Sequence, residues 1–199
     1  MKIASIGSGN MGGTLGKRWA ALGHRVMFGS RDPHNEKMKL LLQVAGANAQ
    51  AGTIKETVAF GEAILLAVLP DDVESALAEA GDLDGKILIN CTNRYDGASE
   101  DVEVRRLARN ARVVRAFHTL PWEVLSNPRY EAGTATAFLS GDDPAAVAAV
   151  ANLATDIGLD PVNIGGPEAM AKVEMAVGMI WSVLAPKFGR EYSLSVLRR

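Results

Sequence analysis

Lys2-Ile3-Ala4-Ser5-Ile6-Gly7-Ser8-Gly9-Asn10-Met11-Gly12-Gly13 opens the chain as a short β-rich run, a turn of glycines and the start of a helical pattern. From Gly7 to Gly12 the turn reads G-x-G-x-x-G. Each glycine has a physical task there: Gly7 permits the tight turn, Gly9 lets backbone approach a pyrophosphate, and Gly12 lets the helix pack against the strand. In the helix that follows, Met11, Leu15, Trp19 and Leu22 share one face, and Gly23 sits where a C-terminal cap belongs. Its N-terminus offers free N–H groups and a positive dipole end to phosphates. Glycine-rich turns are common; the strand–turn–helix context is what makes this one a nucleotide-binding signal.

Working outward, short β-rich runs alternate with helical patterns along the chain. The candidate strands are Lys2–Ile6, Arg25–Phe28, Ala63–Leu69, Lys86–Asn90, Arg112–Phe117, Thr134–Ser140 and Pro161–Ile164. Most are nearly continuous apolar runs, as strands buried on both faces of a parallel sheet are. Thr53 and Glu56 have capping-box spacing, and Asp142-Asp143-Pro144 opens an alanine-rich helix. From Pro167 to Pro186 a last helix carries Met170, Val173, Val177, Ile180, Trp181 and Leu184 on a broad apolar face, read as core with a share left for a homodimer contact. The expectation is an α/β, Rossmann-type doubly wound, mostly parallel sheet with a C-terminal helix. Residues 1–199 read as a single NAD(P)-binding domain, with 166–199 as its helical extension.

The 199 residues are 48% hydrophobic and 22% charged, ordinary for a globular enzyme, and a net charge of −2 gives no electrostatic footing for nucleic acid. Cys91 is the single cysteine, which excludes an intrachain disulfide and points to a reducing compartment, the cytoplasm. Its expected role is that of a buried structural thiol. Neither a signal peptide nor an apolar stretch of roughly 20 residues is expected, hence no membrane partner. Three widely spaced histidines and one cysteine make no metal-site pattern.

The residues after the second strand select the nucleotide. An NAD site needs an acidic residue there for the ribose 2′-OH, and this chain reads Gly29-Ser30-Arg31. A hydroxyl and a guanidinium suit a 2′-phosphate, so NADP(H) is the expected cofactor. The competing reading makes Arg31 a solvated loop charge and Asp32 a helix cap. Across the cleft the strand ends are Leu69-Pro70, Asn90 through Asn93, and His118-Thr119-Leu120-Pro121-Trp122. Pro70 can lay its backbone against a cofactor, and Asn90, Thr92 and Asn93 are either ribose or carboxamide contacts or turn chemistry. His118 is the candidate catalytic residue, as proton or hydrogen-bond donor to a reacting ring, with a structural histidine as the alternative. No Ser-Lys-Tyr set of the short-chain dehydrogenase kind is visible. A hydride passed between two planar cofactors needs mainly that the rings be held face to face, a task that suits so sparse an acid–base inventory.

With these pieces assembled the chain resembles the NADPH-dependent coenzyme F-420 (deazaflavin) oxidoreductases and the related NADPH-binding domain of the six-transmembrane ferric reductases. The matching stretches are Gly7–Gly12, Leu22-Gly23-His24, Gly29-Ser30-Arg31, Ala67–Pro70, Val114–Pro121 and Gly141-Asp142-Asp143. The resemblance implies that Ser8, Gly9, Asn10 and Met11 bind the pyrophosphate and that Ser30 and Arg31 bind the 2′-phosphate. Leu69, Val73, Asn93 and Trp122 would line the nicotinamide side, with Pro70 and Thr119 beside them. The deazaflavin, or FMN in its place, would stack near His118–Pro121. Departures are visible: the family's first turn typically reads Gly-Gly-Thr-Gly-Asn, small residues usually follow Pro121 where this chain has Trp122, and Asn35 stands where a lysine can support the 2′-phosphate, with Lys37 close by. Two other readings stay open: an imine reductase similar to pyrroline-5-carboxylate reductase, and a non-catalytic NADPH-binding sensor or partner subunit.

Overall fold

Residues that are apolar on both sides of a strand need cover on both sides of the sheet, and the chain supplies it by alternating strand and helix. The computed structural model describes residues 1–94 and 99–199. Its first half runs β1 (Lys2–Ile6), α1 (Asn10–Ala21), β2 (Arg25–Gly29), α2 (Glu36–Ala45), β3 (Ala49–Gly52), α3 (Ile54–Phe60), β4 (Ala63–Leu66), α4 (Val73–Ala80) and β5 (Ile87–Asn90). There follow α5 (Asp101–Leu107), β6 (Arg112–Arg115), α6 (Trp122–Ser126), β7 (Arg129–Tyr130), β8 (Gly133–Thr134), β9 (Thr136–Gly141), α7 (Pro144–Asp156), β10 (Asp160–Asn163) and α8 (Pro167–Phe188). The main sheet has the order β10-β9-β6-β5-β4-β1-β2-β3. All pairings are parallel except β6 with β9. This is the expected doubly wound sheet with a C-terminal helix.

Alternation along each strand splits the core in two. In β4, Ala63 and Leu65 join one cluster, with Leu15, Trp19, Phe28 and Val114, while Ile64 and Leu66 join the other, with Ile6, Ile54, Val58 and Val104. Long-range polar ties then fix helices to one another. The Trp19 indole N–H donates to the Leu153 carbonyl at 2.9 Å, and an Arg18 guanidinium nitrogen donates to the Leu125 carbonyl at 2.6 Å.

Local signals act as read. Thr53 Oγ1 accepts from the Glu56 N–H while Glu56 Oε2 accepts from the Thr53 N–H, a complete capping box. Asp143 caps α7 through the N–H groups of Ala145 and Ala146, with Pro144 as the first helical residue. Gly23 stands just beyond α1 at φ +90°, as its place after the helix requires.

Several expectations are corrected. The strand expected at Ala63–Leu69 stops at Leu66, since the ladder peels away toward Pro70, which has no N–H to offer. The one expected at Arg112–Phe117 stops at Arg115, because Phe117 takes φ +66° and turns the chain. Thr134–Ser140 divides into β9 and a short hairpin, β7 with β8, that precedes it. β3, Ala49-Gln50-Ala51-Gly52, went unread because its residues favour strands little; its pairing with β2 makes it one. Leu22 is 53% exposed and contributes nothing to the α1 core face. The largest correction concerns α8, where Met170 is the only buried residue. Its 22 residues are long and apolar enough to cross a membrane by length and composition, against the expectation that no such stretch exists.

At the start of α1, a Cβ on Gly12 would lie 2.1 Å from the Gly7 carbonyl oxygen, whereas one on Gly9 meets nothing within 4 Å. Gly12→Ala is therefore expected to lower stability by about 1–3 kcal/mol in urea unfolding, and Gly9→Ala to change it by less than about 0.5 kcal/mol.

Candidate dinucleotide site and its junction with the C-terminal helix

The chain runs from β1 outward to β2 and β3, then returns to β4 on the other side of β1, so the crevice between the ends of β1 and β4 is the topological switch point. Gly7 to Asn10 form its floor. Gly7 takes φ +99°, and a Cβ on it would lie 2.4 Å from the Ala67 carbonyl oxygen, so this crossing tolerates glycine alone. The first helical bond of α1 runs from the Gly13 N–H to the Gly9 carbonyl at 2.7 Å. The N–H groups just before it have no intrahelical partner, Gly9 caps without a side chain, and no acid stands in the first turn. Open space above Gly9 and unopposed N–H groups below it fit a dinucleotide pyrophosphate.

Ser30 and Arg31 leave β2 at the rim of the same crevice. Ser30 Oγ accepts from the Asp32 N–H at 3.2 Å, which orders the turn. Asp32 Oδ1 accepts from the His34 N–H, and the cap of α2 is Asn35, whose Oδ1 accepts from the Met38 N–H at 2.9 Å. Asn35 thus has a structural post, and the alternative that assigned the cap to Asp32 is corrected. The Arg31 side chain is 79% exposed, 3.9 Å from Asp72 across the mouth, free to swing onto an anion.

On the β4 side, Leu69 is exposed at the rim, and Pro70 begins a single 3-10 turn ending at Asp72. Val73, expected to line the nicotinamide side, is corrected: it is 1% exposed, packed in the core with Ile6 and Leu66, because it starts the buried face of α4. Beyond β5, Asn90 donates to Asp101 Oδ1 and accepts from Thr92 Oγ1, and both residues are buried, so the turn-chemistry reading applies to them. Asn93 is exposed, and its amide approaches the His118 carbonyl at 3.5 Å. Ser8, Met11 and Trp122 are half-buried at the edges of the crevice and of the next loop. Burial pushes the Cys91 thiol up to about 12, leaving it inert, in keeping with the structural role expected.

His118 lies where β6 ends, but its side chain points inward. It is 1% exposed, with Nε2 2.9 Å from Glu174 Oε1 of α8. The same carboxylate oxygen accepts from Arg115 Nε at 2.8 Å, and the Arg115 guanidinium also donates to the Thr92 and Asn90 carbonyls. Burial first, then the Arg115 charge, push the His118 imidazole below its ordinary range. Burial would raise Glu174, but His118 and Arg115 prevail and hold it at about 2. At neutral pH the cluster is an Arg115–Glu174 ion pair beside a neutral imidazole. Sequence reasoning passed over Arg115 and Glu174. Their signals were present: a charge inside the apolar run Val113-Val114-Arg115-Ala116-Phe117, and the single charge between Val173 and Pro186. Phe117, fully buried at φ +66° and edge-on to Trp19, sends the following loop toward α8.

Past that loop, α8 and the chain's end close a cavity of about 20 Å³ lined by Thr119, Pro121, Val177, Ile180, Trp181 and Tyr192 among others. The Thr119 and Tyr192 hydroxyls are buried there without a partner among the described residues. Tyr192 stacks on Trp181 with ring centres 5.2 Å apart, and the Leu194 carbonyl accepts from the Thr136 N–H of β9.

Residues 2–94 match the family model for coenzyme F420-dependent NADP oxidoreductases. The rat metalloreductase STEAP3 is 28% identical over 180 residues, 87% of this chain, and the chain spans 36% of that protein's length. An assigned F420-dependent NADP-reductase from Arthrobacter sp. FB24 is 26% identical, with all of both chains covered and a TM-score of 0.88. A reductive aminase from Aspergillus terreus, solved with NADPH4, shares the fold at 22% identity and a TM-score of 0.72, over 93% of this chain and 62% of its own. A glycine cradle at a switch point, matched in sequence over residues 2–94 and in fold over the whole chain, makes this chain a Rossmann-type domain similar to the coenzyme F420-dependent NADP oxidoreductases.

Proposed function

We propose that the chain binds NADP(H) and passes a hydride between it and a planar acceptor of the deazaflavin or flavin type, in the cytoplasm. The carrying observation is the paired arrangement at the switch point: the open glycine cradle of α1 and, at the neighbouring strand end, Ser30 and an extended, exposed Arg31 where an NAD site would have a carboxylate. Of the acids near Arg31, Asp32 has a carboxylate oxygen engaged by the His34 N–H, and Asp72 stands 3.9 Å from Arg31 across the mouth. When bound, the nicotinamide supplies or takes the hydride. The chain's own residues hold the pyrophosphate over Gly9, pair with the 2′-phosphate, and present the apolar rim of Leu69 and Pro70, with the loop of Thr119 and Trp122 opposite.

The burial of His118 supports a planar acceptor over a carbonyl or imine. Reducing those needs a proton delivered at the reacting atom, and the imidazole expected to deliver it is enclosed against Glu174. In this reading His118 is a positioning residue: it and Arg115 fix α8 to the end of β6, and the acceptor loop is shaped between them.

Fluorescence titration tests the cofactor assignment. Arg31→Ala should weaken NADPH binding by tenfold or more, about 1.4 kcal/mol, while changing NADH binding less than about twofold; equal losses would remove the 2′-phosphate role. Gly9→Val should leave a folded protein that binds neither nucleotide, because the side chain fills the space a pyrophosphate would take. Mixing the NADPH-loaded wild type with oxidised deazaflavin coenzyme and then FMN should oxidise the nucleotide with one of them, and the absence of hydride transfer to both would count against the acceptor class.

The junction makes a pH prediction. Both His118 and Glu174 are held below their ordinary values in the folded chain, so the unfolded chain binds more protons. Their stabilisation is present above pH about 6.5 for the histidine and above 4.5 for the glutamate, and is lost as pH falls through the lowered folded values. Urea midpoints should drop from pH 7.5 to 5, and His118→Gln should flatten that part of the profile; an unaltered slope would take His118 out of the account.

A further inference from the structure

We propose that Asp72 is a counter-ion that competes with the nucleotide for Arg31, and so sets how tightly the 2′-phosphate is held and how fast it leaves. The inference rests on the NADP(H) reading and adds a residue to that same site. Arg31 follows β2 on one wall of the crevice, and Asp72 ends the 3-10 turn after β4 on the other. Arg31 Nη2 lies 3.9 Å from Asp72 Oδ1, so the pair spans the mouth through which a nucleotide enters. Among the described residues no second acid comes within ion-pair reach of Arg31.

Local chemistry offers Asp72 a different post, which it leaves unused. It stands at the N-cap of α4, where a carboxylate ordinarily accepts from a helix N–H, and it makes no side-chain cap bond. Its backbone is nonetheless fixed. The Asp72 N–H donates to the Leu69 carbonyl at 3.0 Å, and the Asp72 carbonyl accepts from Ser75 Oγ at 3.1 Å. A held backbone with an unspent side chain keeps the carboxylate at the mouth. Asp32, next to Arg31 in sequence, instead turns back to the His34 N–H.

The two nucleotides treat this pair differently. A phosphate monoester carries nearly two negative charges and three acceptor oxygens, and takes the guanidinium from a single carboxylate. A ribose 2′-hydroxyl is neutral and leaves the pair in place. NADP(H) binding therefore moves Arg31 from Asp72 to the phosphate, and leaves the Asp72 charge facing a like charge. With side chains 79% and 40% exposed, such a pair shifts an equilibrium by at most about fivefold, and salt screens it. The exchange weakens the grip on NADP(H) and gives Arg31 a partner to return to. Nucleotide release limits many enzymes of this class of reaction, so a modest counter-ion at the mouth acts on turnover without touching a reacting atom.

Fluorescence titration and stopped-flow displacement of NADPH from Asp72→Asn test this, the substitution keeping shape and removing charge. NADPH should bind about three- to fivefold more tightly, mostly through slower release, while NADH binding changes less than about twofold. The gain should shrink in 0.5 M salt, and most of it should vanish in the Arg31→Ala background. Weaker NADPH binding overturns the proposal, because Asp72 would then orient Arg31 for the phosphate. An equal gain for both nucleotides, or a full gain without Arg31, overturns the exchange in favour of simple charge repulsion. A wild type that prefers NADPH through Arg31 but is indifferent to Asp72→Asn overturns this inference alone. A wild type with no such preference overturns the NADP(H) reading, and this inference with it.

Discussion

Gly12 approaches the Gly7 carbonyl so closely that a single carbon would separate β1 from α1, and both the sheet and the site rest on that approach. It brings the N-terminus of α1 down onto the end of the central strand. The helix can then bury Leu15 and Trp19 against the sheet while its first N–H groups stay open at the crevice. A turn that used side chains to satisfy those groups would be a better cap and a worse anion site. Close packing and an open helix start both come from absent Cβ atoms, Gly7 and Gly12 for the close approach and Gly9 for the open space above the turn.

The far side of the cleft is organised by a buried charge. Arg115 enters the sheet's end with a guanidinium that must find acceptors, and it finds the Thr92 and Asn90 carbonyls and Glu174. Breaking such a pair strands a charge in the interior, which makes it a demanding but specific joint. It sets where α8 crosses β9, and with it the position of the Thr119–Trp122 loop and of the cavity between that loop and Trp181. Because Glu174 faces inward there, the opposite side of α8 is left apolar and uncovered.

What was legible in the sequence followed from local rules. The tight turn and close helix packing of the glycine spacing, the capping box at Thr53 and Glu56, the Asp143-Pro144 helix start and the apolar strands each depend on contacts within a few residues or on a period, and each folds as read. The misreadings share the opposite cause. β3 has no strand-favouring residues and exists because β2 offers it a partner. Val73 reads as a cleft residue by its place after Pro70, and the handedness of α4 turns it into the core. His118 reads as a free donor at a strand end, but the positive φ of Phe117 and the carboxylate of Glu174, far along the chain, enclose it.

The sequence by itself determined the glycine-turn end of the crevice: a strand, three spaced glycines and a helix, and the absence of an acid where Ser30 and Arg31 stand. Those features are backbone geometry and charge within short spans, which a chain carries wherever it folds. Only the tertiary structure decided the far side of the cleft and the outer surface. There the outcome depends on which way an imidazole and an apolar helix turn, and one buried ion pair between β6 and α8 settles both, because a charge taken out of water must be paired before anything else can pack.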